Sequence, residues 1–457
     1  MLSYFAQCTN AEKLAITLNL SYFISKRINR DHKTGFSATI HKIAIVSISV
    51  GLGAAIVSFL VMKGFQNTVK NKIFGFSGHL LITKFSMNNS PEERPMNFRI
   101  DLYDNLHDYP FVEHVQEYAH KPGLVKTDDE VLGVVVKGVG KSFDVNRFAP
   151  NMLEGSFFAL PDSGYANQVV ISKAIADKLN AGVGGSIMVH FFQNPPRYRR
   201  LTVTGIYETN LSEYFDSRVI LTDIRMIQRL NDWSDSLAGG LEVFLNVGRG
   251  GARSVKTFLD EDVYSEHKEN FFKRLIPTIN EPALIDDGIV AIGERMDYDL
   301  NIERVSDRYI QVFDWLNLLS RQVNILLIII LTVISVNMIS IILILVMDRT
   351  QMIGLLKALG AGNQTIRSIF VFNGVRLITR GLFFGNLLGL GICFLQDRLR
   401  IVKLNPQDYY MSFVPVSWNW EIVILLNILM FVVVTVVLML PTMIIASVNP
   451  IKALRFD

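Results

Sequence analysis

Cysteine is nearly absent: Cys8 and Cys393 are the only two in 457 residues, and none lies between Lys63 and Arg321. That middle stretch can hold no disulfide framework. The two thiols, one ahead of the first apolar run and one inside the third, are not expected to pair. A dominant charge is lacking too, since 45 lysines and arginines face 42 aspartates and glutamates. A net charge of +3 does not point to a polyanionic partner. Catalytic patterns are also missing. There is no G-x-S-x-G and no H-E-x-x-H. GVGKS (Gly138–Ser142) has only the end of a phosphate-binding loop, because Val135 stands where the fuller pattern needs glycine. His107, His114 and His120 cluster without the spacing of a zinc site, and read as solvated or core histidines. The chain is therefore expected to be non-catalytic, with no metal or cofactor of its own. Its start lacks the charged n-region and short apolar h-region of a cleavable signal, and the residues before Cys8 do not read as a lipidation site. The first apolar run is thus expected to be an uncleaved anchor.

What is present is apolar length. At 50% hydrophobic, 19% charged and mean hydropathy +0.30, the chain is too apolar for one soluble globule and too charged for a bundle throughout. Charge-free runs cover 43–62, 322–347, 381–396 and 422–451. Crossing roughly 30 Å of hydrocarbon takes about 20 residues. The first, second and fourth runs suffice alone. The third qualifies once extended back to Ile369, leaving Arg376 and Arg380 to snorkel to the interface. Four spans exclude a secreted, cytosolic or nucleic-acid-binding protein. They divide the chain into 1–42, span 43–62, domain 63–321, span 322–347, loop 348–368, span 369–396, loop 397–421, span 422–446 and tail 447–457.

Short-loop basic residues set the orientation. Lys13, Lys26, Arg27, Arg30, Lys33 and Lys42 precede the first span. Arg349, Lys357, Arg367, Arg376 and Arg380 follow the second, and Lys452 and Arg455 lie in the tail. Only Arg398, Arg400 and Lys403 lie between the third and fourth. This bias puts both termini in the cytoplasm and the roughly 260-residue middle domain outside it. Strands are expected at 79–85, 131–139, 186–192, 200–208 and 241–247 from β-branched runs bounded by Gly, Asn or Pro. Helices are expected at 172–179, 222–230 and 254–263, several with Ser or Thr caps. From Glu303, Val305, Tyr309, Val312, Phe313, Leu316 and Leu319 recur at helical spacing. A helix starting there would lead into the second span and carry its movement outward. The mixture predicts an α+β domain, in one or two subdomains.

Two further patterns concern the spans. In DRTQMIGLLKALGAG (348–362), Met352, Leu355, Leu356 and Leu359 are expected on one face, with Gln351 and Lys357 turned to water or a partner. Gly360 and Gly362 permit a stop and turn. The segment is either a helix lying on the membrane or a docking helix. Gly381, Gly385 and Gly389, like Ser47, Gly51 and Ala55, repeat at four-residue spacing, which suits close helix approach within the chain or between copies.

The first span and its flanks, KRINRDHKTGFSATIHKIAIVSISVGLGAAIVSFLVMKGFQNTVKNKIFGFSGHLLI (26–82), resemble the Lol-type lipoprotein-releasing ABC transporter permeases, the LolC/LolE family. Met62, Gly64, Phe65, Gly75 and His79 match that family's M-x-G-F and G-x-x-x-H patterns. The segment 347–374 resembles its coupling helix, through Gly354, Leu356, Lys357, Gly360 and Ala361. Pro441, Ala446, Pro450, Ala453, Leu454 and Arg455 resemble its terminus. The coupling and terminal motifs are shared with the wider MacB/FtsX-like superfamily; the N-terminal block points to the lipoprotein branch.

The resemblance implies a MacB-like periplasmic domain, a cell inner membrane setting and a second permease subunit, identical or homologous. It also implies a cytoplasmic ATPase dimer, in separate chains, that holds ATP and Mg. Arg349, Gln351, Met352, Ile353, Gly354, Leu355, Leu356, Lys357, Leu359 and Gly360 would couple to that ATPase. A lipid site would lie at Val57, Phe59, Leu60, Met62, Phe65, Val323, Leu326 and Leu327. A periplasmic lipoprotein carrier would meet the hairpin at Phe191, Phe192, Pro195, Pro196 and Tyr198, which by pattern alone reads first as an ordinary exposed β-hairpin. Two departures stand out: Met352 occupies a place usually acidic in the family, and the loop 191–200 is short for the family's carrier-binding hook. Two other classes remain open, an FtsX-like mechanotransmitter acting on a periplasmic hydrolase and a membrane receptor. A receptor should continue into a cytoplasmic signalling domain.

Overall fold

The computed structural model describes residues 36–86, 92–126, 131–162, 164–211, 215–247, 254–255, 258–259 and 280–442. Cys8, the basic cluster from Lys13 to Lys33, most of the helix expected at 254–263 and the terminal motif beyond Thr442 lie outside the described residues.

Helix α1 runs Phe36–Ser77, well past the charge-free run at either end. Nothing between Met62 and Ser77 breaks it. Gly78 does so, at φ 72°, with its N–H bonded to Phe74 O at 2.9 Å. This left-handed stop closes the final turn, and a Cβ there would meet Val243 O at 2.9 Å.

The chain then builds a mixed sheet. Its strands are β1 (Leu80–Lys84), β3 (Val112–Lys126), β4 (Val131–Val139), β5 (Met152–Gly155), β6 (Gln168–Ser172), β7 (Ser186–Phe191), β8 (Arg197–Tyr207), β9 (Val219–Asp223), β11 (Gly240–Leu245) and β12 (Leu300–Arg304). β2 (Met96–Asn97) and β10 (Leu237–Ala238) form a separate small ladder. The order is β12-β1-β11-β3-β4-β9-β6-β8-β5, and β7 joins β3 to β8. The β4–β9 and β6–β8 pairs are parallel and the other pairs antiparallel. All five expected strands form. β3, β5, β6, β9 and β12, which were not expected, complete the interior and both edges.

Helix α2 (Lys173–Leu179) has Ser172 Oγ accepting from Ile175 N at 3.1 Å, as a Ser cap should. For α3 (Ile224–Leu230) the cap is Asp223, which accepts from Arg225 N at 3.0 Å. The expected cap, Thr222, is instead a buried strand residue bonded to Gln168 O. Helix α4 covers Asn280–Gly293. The helix expected from Glu303 starts later: 300–304 pairs with β1, one turn follows at Val305–Arg308, and α5 runs unbroken over Ile310–Asp348. After it come α6 (Thr350–Ala358), α7 (Asn363–Leu399) and α8 (Trp420–Thr442). α1, α5, α7 and α8 are each long and apolar enough to cross a membrane.

The chain divides into two compact units. The helical unit holds the chain up to Phe65, Leu316–Val402 and the chain from Val414; the sheet unit holds Gln66–Trp315 and Lys403–Phe413.

Candidate functional surfaces

In the helical unit, Ile48, Leu52 and Ile56 of α1 pack with Ile334 and Met338 of α5, Leu377 of α7 and Leu426, Met430 and Val434 of α8. The glycine stripe of α7 makes this possible. A Cβ on Gly381 would stand 2.7 Å from Ile48 Cβ, one on Gly385 2.9 Å from Leu52 Cβ, and one on Gly389 3.0 Å from Gly53 Cα. The stripe therefore serves packing within the chain, along α1. Ser49 Oγ donates to Gly381 O at 3.0 Å across the same seam. Gly51 turns to α5, where a Cβ would run into Ile334. Asn386 and Asn427 exchange two amide hydrogen bonds, at 2.7 and 2.9 Å, joining α7 to α8. Neither asparagine stood out in the sequence, since a lone amide in an apolar run does not reveal its partner.

The face expected on α6 is divided. Ile353 and Gly354 are buried, and Met352 and Leu356 pack partly against the helical core. Leu355 is 54% exposed and Leu359 77%. They line up with exposed Gln351 at spacing four, while Lys357 is half-buried. The free strip is thus Gln351, Leu355 and Leu359, not the shared face of Met352, Leu355, Leu356 and Leu359. Arg349 precedes the helix, paired with Asp348 at 3.5 Å. Gly360, exposed at φ 90°, ends it and lets the chain turn into α7.

The residues named for a lipid site separate in the same way. Leu60, Met62 and Phe65 are buried, so they line no open wall in this conformation. Val57, Phe59 and Leu327 pack against the core from its margin, Val323 is half-buried and Leu326 is exposed. Gly64 has a structural role: a Cβ there would meet Pro415 O at 2.6 Å, beside the bond from Ser417 N to Leu60 O.

In the sheet unit, β7 and β8 form the expected hairpin, closed by a five-residue turn with a cis Asn194–Pro195 bond. Phe192 is 74% exposed and Tyr198 63%, and Pro195 and Pro196 are exposed with them. Phe191 is buried and belongs to the core, because alternation along β7 turns it inward. Arg197 holds the base of the turn, donating to Leu230 O at 2.8 Å and pairing with Asp232 at 3.1 Å.

A buried charged pair was invisible in the sequence. Lys137 Nζ on β4 meets Glu242 Oε1 on β11 at 2.6 Å and donates to Phe76 O, in the last turn of α1, at 2.8 Å. Gln116 on β3 donates to the other Glu242 oxygen at 2.7 Å. His79 is tied in beside them: its Nδ1 accepts from Leu245 N at 3.0 Å. The histidine cluster disperses. His114 bonds Ser142 O, His120 bonds Glu93, and His107 sits exposed beside Asp108. Burial pushes the Glu93 carboxyl up, but His120 and its hydrogen bonds outweigh this and hold it below its ordinary value. In the Gly138–Ser142 segment, Gly138 gives room to Ile224 of α3, Lys141 pairs with Asp162, and Ser142 bonds Glu117.

A cavity of about 550 Å³ in the sheet unit is lined by Lys84, Arg99, Asp101, Tyr109, Arg295 and Asp299, among others. Its charges are engaged: Lys84 with Asp299, Asp101 with the Tyr109 hydroxyl, and Arg295 over the Phe258 ring. Burial, with Asp101, pushes the Tyr109 phenol up to about 12. A lining of paired charges does not suit acyl chains.

Two family models match the chain in succession, the MacB-like periplasmic core domain over residues 43–250 and the FtsX-like permease C-terminal over 324–450. The lipoprotein-releasing system transmembrane protein LolC of Xylella fastidiosa is 20% identical over 97% of this chain and 99% of its own. The LolE protein of the same system from Haemophilus influenzae is 22% identical over 93% and 95%. Among solved structures, the periplasmic region of MacB from Actinobacillus actinomycetemcomitans aligns with TM-score 0.31 and 12% identity, over 53% of this chain and 95% of that one. Over nearly its whole length the chain is similar to Lol-type permeases of the MacB/FtsX-like superfamily, and it carries four helices long and apolar enough to cross a membrane, with a MacB-like α+β domain between the first and second.

Proposed function

We propose that this chain is a Lol-type permease, the membrane subunit of an ABC transporter that releases lipoproteins from the inner membrane to a periplasmic carrier. The observation that carries this reading is the match, over nearly the whole chain, to proteins named for lipoprotein release. ATP and Mg would be held by an ATPase dimer in separate chains, and a second permease, identical or homologous, would complete the complex. Both termini would be cytoplasmic, as the basic loops suggest.

The energetics favour an energised route. Each lipid methylene leaving the bilayer costs about 0.8 kcal/mol, so several acyl chains amount to tens of kcal/mol. Nucleotide-driven closure of the ATPase pair would press on the exposed strip of α6, where Leu355 and Leu359 offer apolar contact. Displacement of the bundle would then travel along α1 and α5, both unbroken helices that continue into residues of the sheet unit. The exposed tip with Phe192, Pro195, Pro196 and Tyr198 offers a carrier an apolar contact.

The test is ATP-dependent release. Vesicles holding this permease with its ATPase and partner permease should pass a triacylated lipoprotein to the carrier when given ATP and Mg. Hydrolysis without release, with a correctly paired carrier, would refute the proposal and favour an FtsX-like mechanotransmitter acting on a periplasmic hydrolase.

A further inference from the structure

The connection between α7 and α8 has no place in the mechanism so far, yet its residues 403–413 fold as part of the sheet unit. The segment is ordered by its own backbone: Leu404 N bonds Ser412 O at 3.0 Å, Lys403 bridges to Phe413, and one helical turn spans Pro406–Tyr409. Tyr410 follows in the left-handed region, at φ 60°, an unusual conformation for a bulky residue.

Two residues from the stalk ends of the membrane helices meet at Tyr410. Lys72, on α1 five residues before its end, donates from Nζ to Tyr410 O at 2.8 Å. Trp315, on α5, packs its ring edge-on to the Tyr410 ring at 5.7 Å between centroids. The same ammonium donates to Thr209 O at 2.7 Å, on the loop after β8. That carbonyl is held in place: Thr209 N and Oγ1 both donate to Asp216 Oδ1, at 3.0 and 2.8 Å, and Leu211 N bonds Thr209 Oγ1 at 3.1 Å. One cation therefore bridges segments 137 and 338 residues distant in the chain.

We propose that Lys72 is a positioning residue whose ammonium, bonded to the carbonyls of Thr209 and Tyr410, fastens the α7–α8 connection and the chain at Thr209 to the end of α1, so that the three move together in the transport cycle. The transport consequence rests on the permease reading; the latch itself does not. Charged hydrogen bonds are stronger than neutral ones, and here the donor is the only charged partner. Burial lowers the Lys72 pKa, while Asp216 and Glu208 nearby raise it and favour the charged form. Lys72 and Tyr410 are both half-buried, so the Tyr410 carbonyl can find water once the ammonium is gone, while buried Thr209 stays held by Asp216; the loss frees the connection without melting the sheet.

Hydrogen exchange on the full chain in detergent tests the latch. Lys72→Met keeps the apolar stem and removes the donor. Amides of Leu404–Ser412 are expected to exchange about tenfold faster, with β3 and β4 unchanged, and Lys72→Arg to restore protection. Unchanged exchange in 404–412, or an equal rise throughout β3 and β4, would overturn the latch. In phosphatidylethanolamine–phosphatidylglycerol vesicles with ATPase, partner permease and carrier, Lys72→Met is expected to raise the ATP hydrolysed per lipoprotein released, at an unchanged hydrolysis rate. An unchanged ratio would overturn the positioning role. If the wild type releases nothing, the transport reading fails, and the exchange result alone decides whether the latch stands.

Discussion

Lys137 and Glu242 illustrate a dependence that no single residue reveals. At 1% and 2% side-chain exposure, each charge is tolerable only because of the other, with Gln116 and Phe76 O taking up the remaining bonds. Lys137→Met leaves a buried carboxylate without its cation and is expected to destabilise the sheet unit by about 3–5 kcal/mol. Adding Glu242→Leu should recover most of that loss. Denaturant melts of the full chain in detergent, followed by near-ultraviolet circular dichroism, would check both. A double variant no more stable than Lys137→Met would show that the pair is not the cause. Buried polar residues hid β3 from the sequence. Gln116 lies in this network, Glu117 bonds Tyr103 and Ser142, and Lys121 bonds Glu92; their burial removes the polar-out alternation, and Pro122 and Gly123 interrupt a strand that nonetheless runs on. Gly123 has a reason to be there: a Cβ would press Val189 where β7 joins β3.

At the scale of elements, α6 shows the limit of helical periodicity. Its apolar residues wrap more than one face, so spacing alone could not choose which face the bundle takes. The core takes Ile353 and Gly354, leaving Leu355 and Leu359 to solvent. Leu355→Asp with Leu359→Asp should therefore abolish co-purification of the ATPase while leaving the permease's melting temperature nearly unchanged. Retained co-purification would remove the docking role from this strip. Leu356 is a poorer probe, because its partial packing against the core confounds lost docking with lost stability. The glycine stripe was legible as a contact surface, but its partner was not. Four-residue spacing is compatible with α1 or with another copy, and only the approach of Ile48, Leu52 and Gly53 decides for α1.

At the scale of the whole molecule, α1 and α5 each pass without a break from a charge-free run into residues of the sheet unit. Two glycines inserted between Ser320 and Arg321 would soften α5 at about 1 kcal/mol each. ATP hydrolysis is expected to persist while lipoprotein release falls, measured as ATP consumed per lipoprotein delivered; normal release would show that α5 transmits nothing. The four spans and their separation by one long folded domain were determined by the sequence alone, because charges in hydrocarbon are costly enough for uncharged length to mark a crossing. The five strands read from β-branched runs, and the hairpin turn, were equally local. The tertiary structure decided which polar groups could be buried, which face of α6 stayed free, and that Lys72 meets Tyr410 across 338 residues. Those outcomes depend on partners brought together by folding, and a hydrogen bond or a close backbone approach leaves no periodic trace in either segment that makes it.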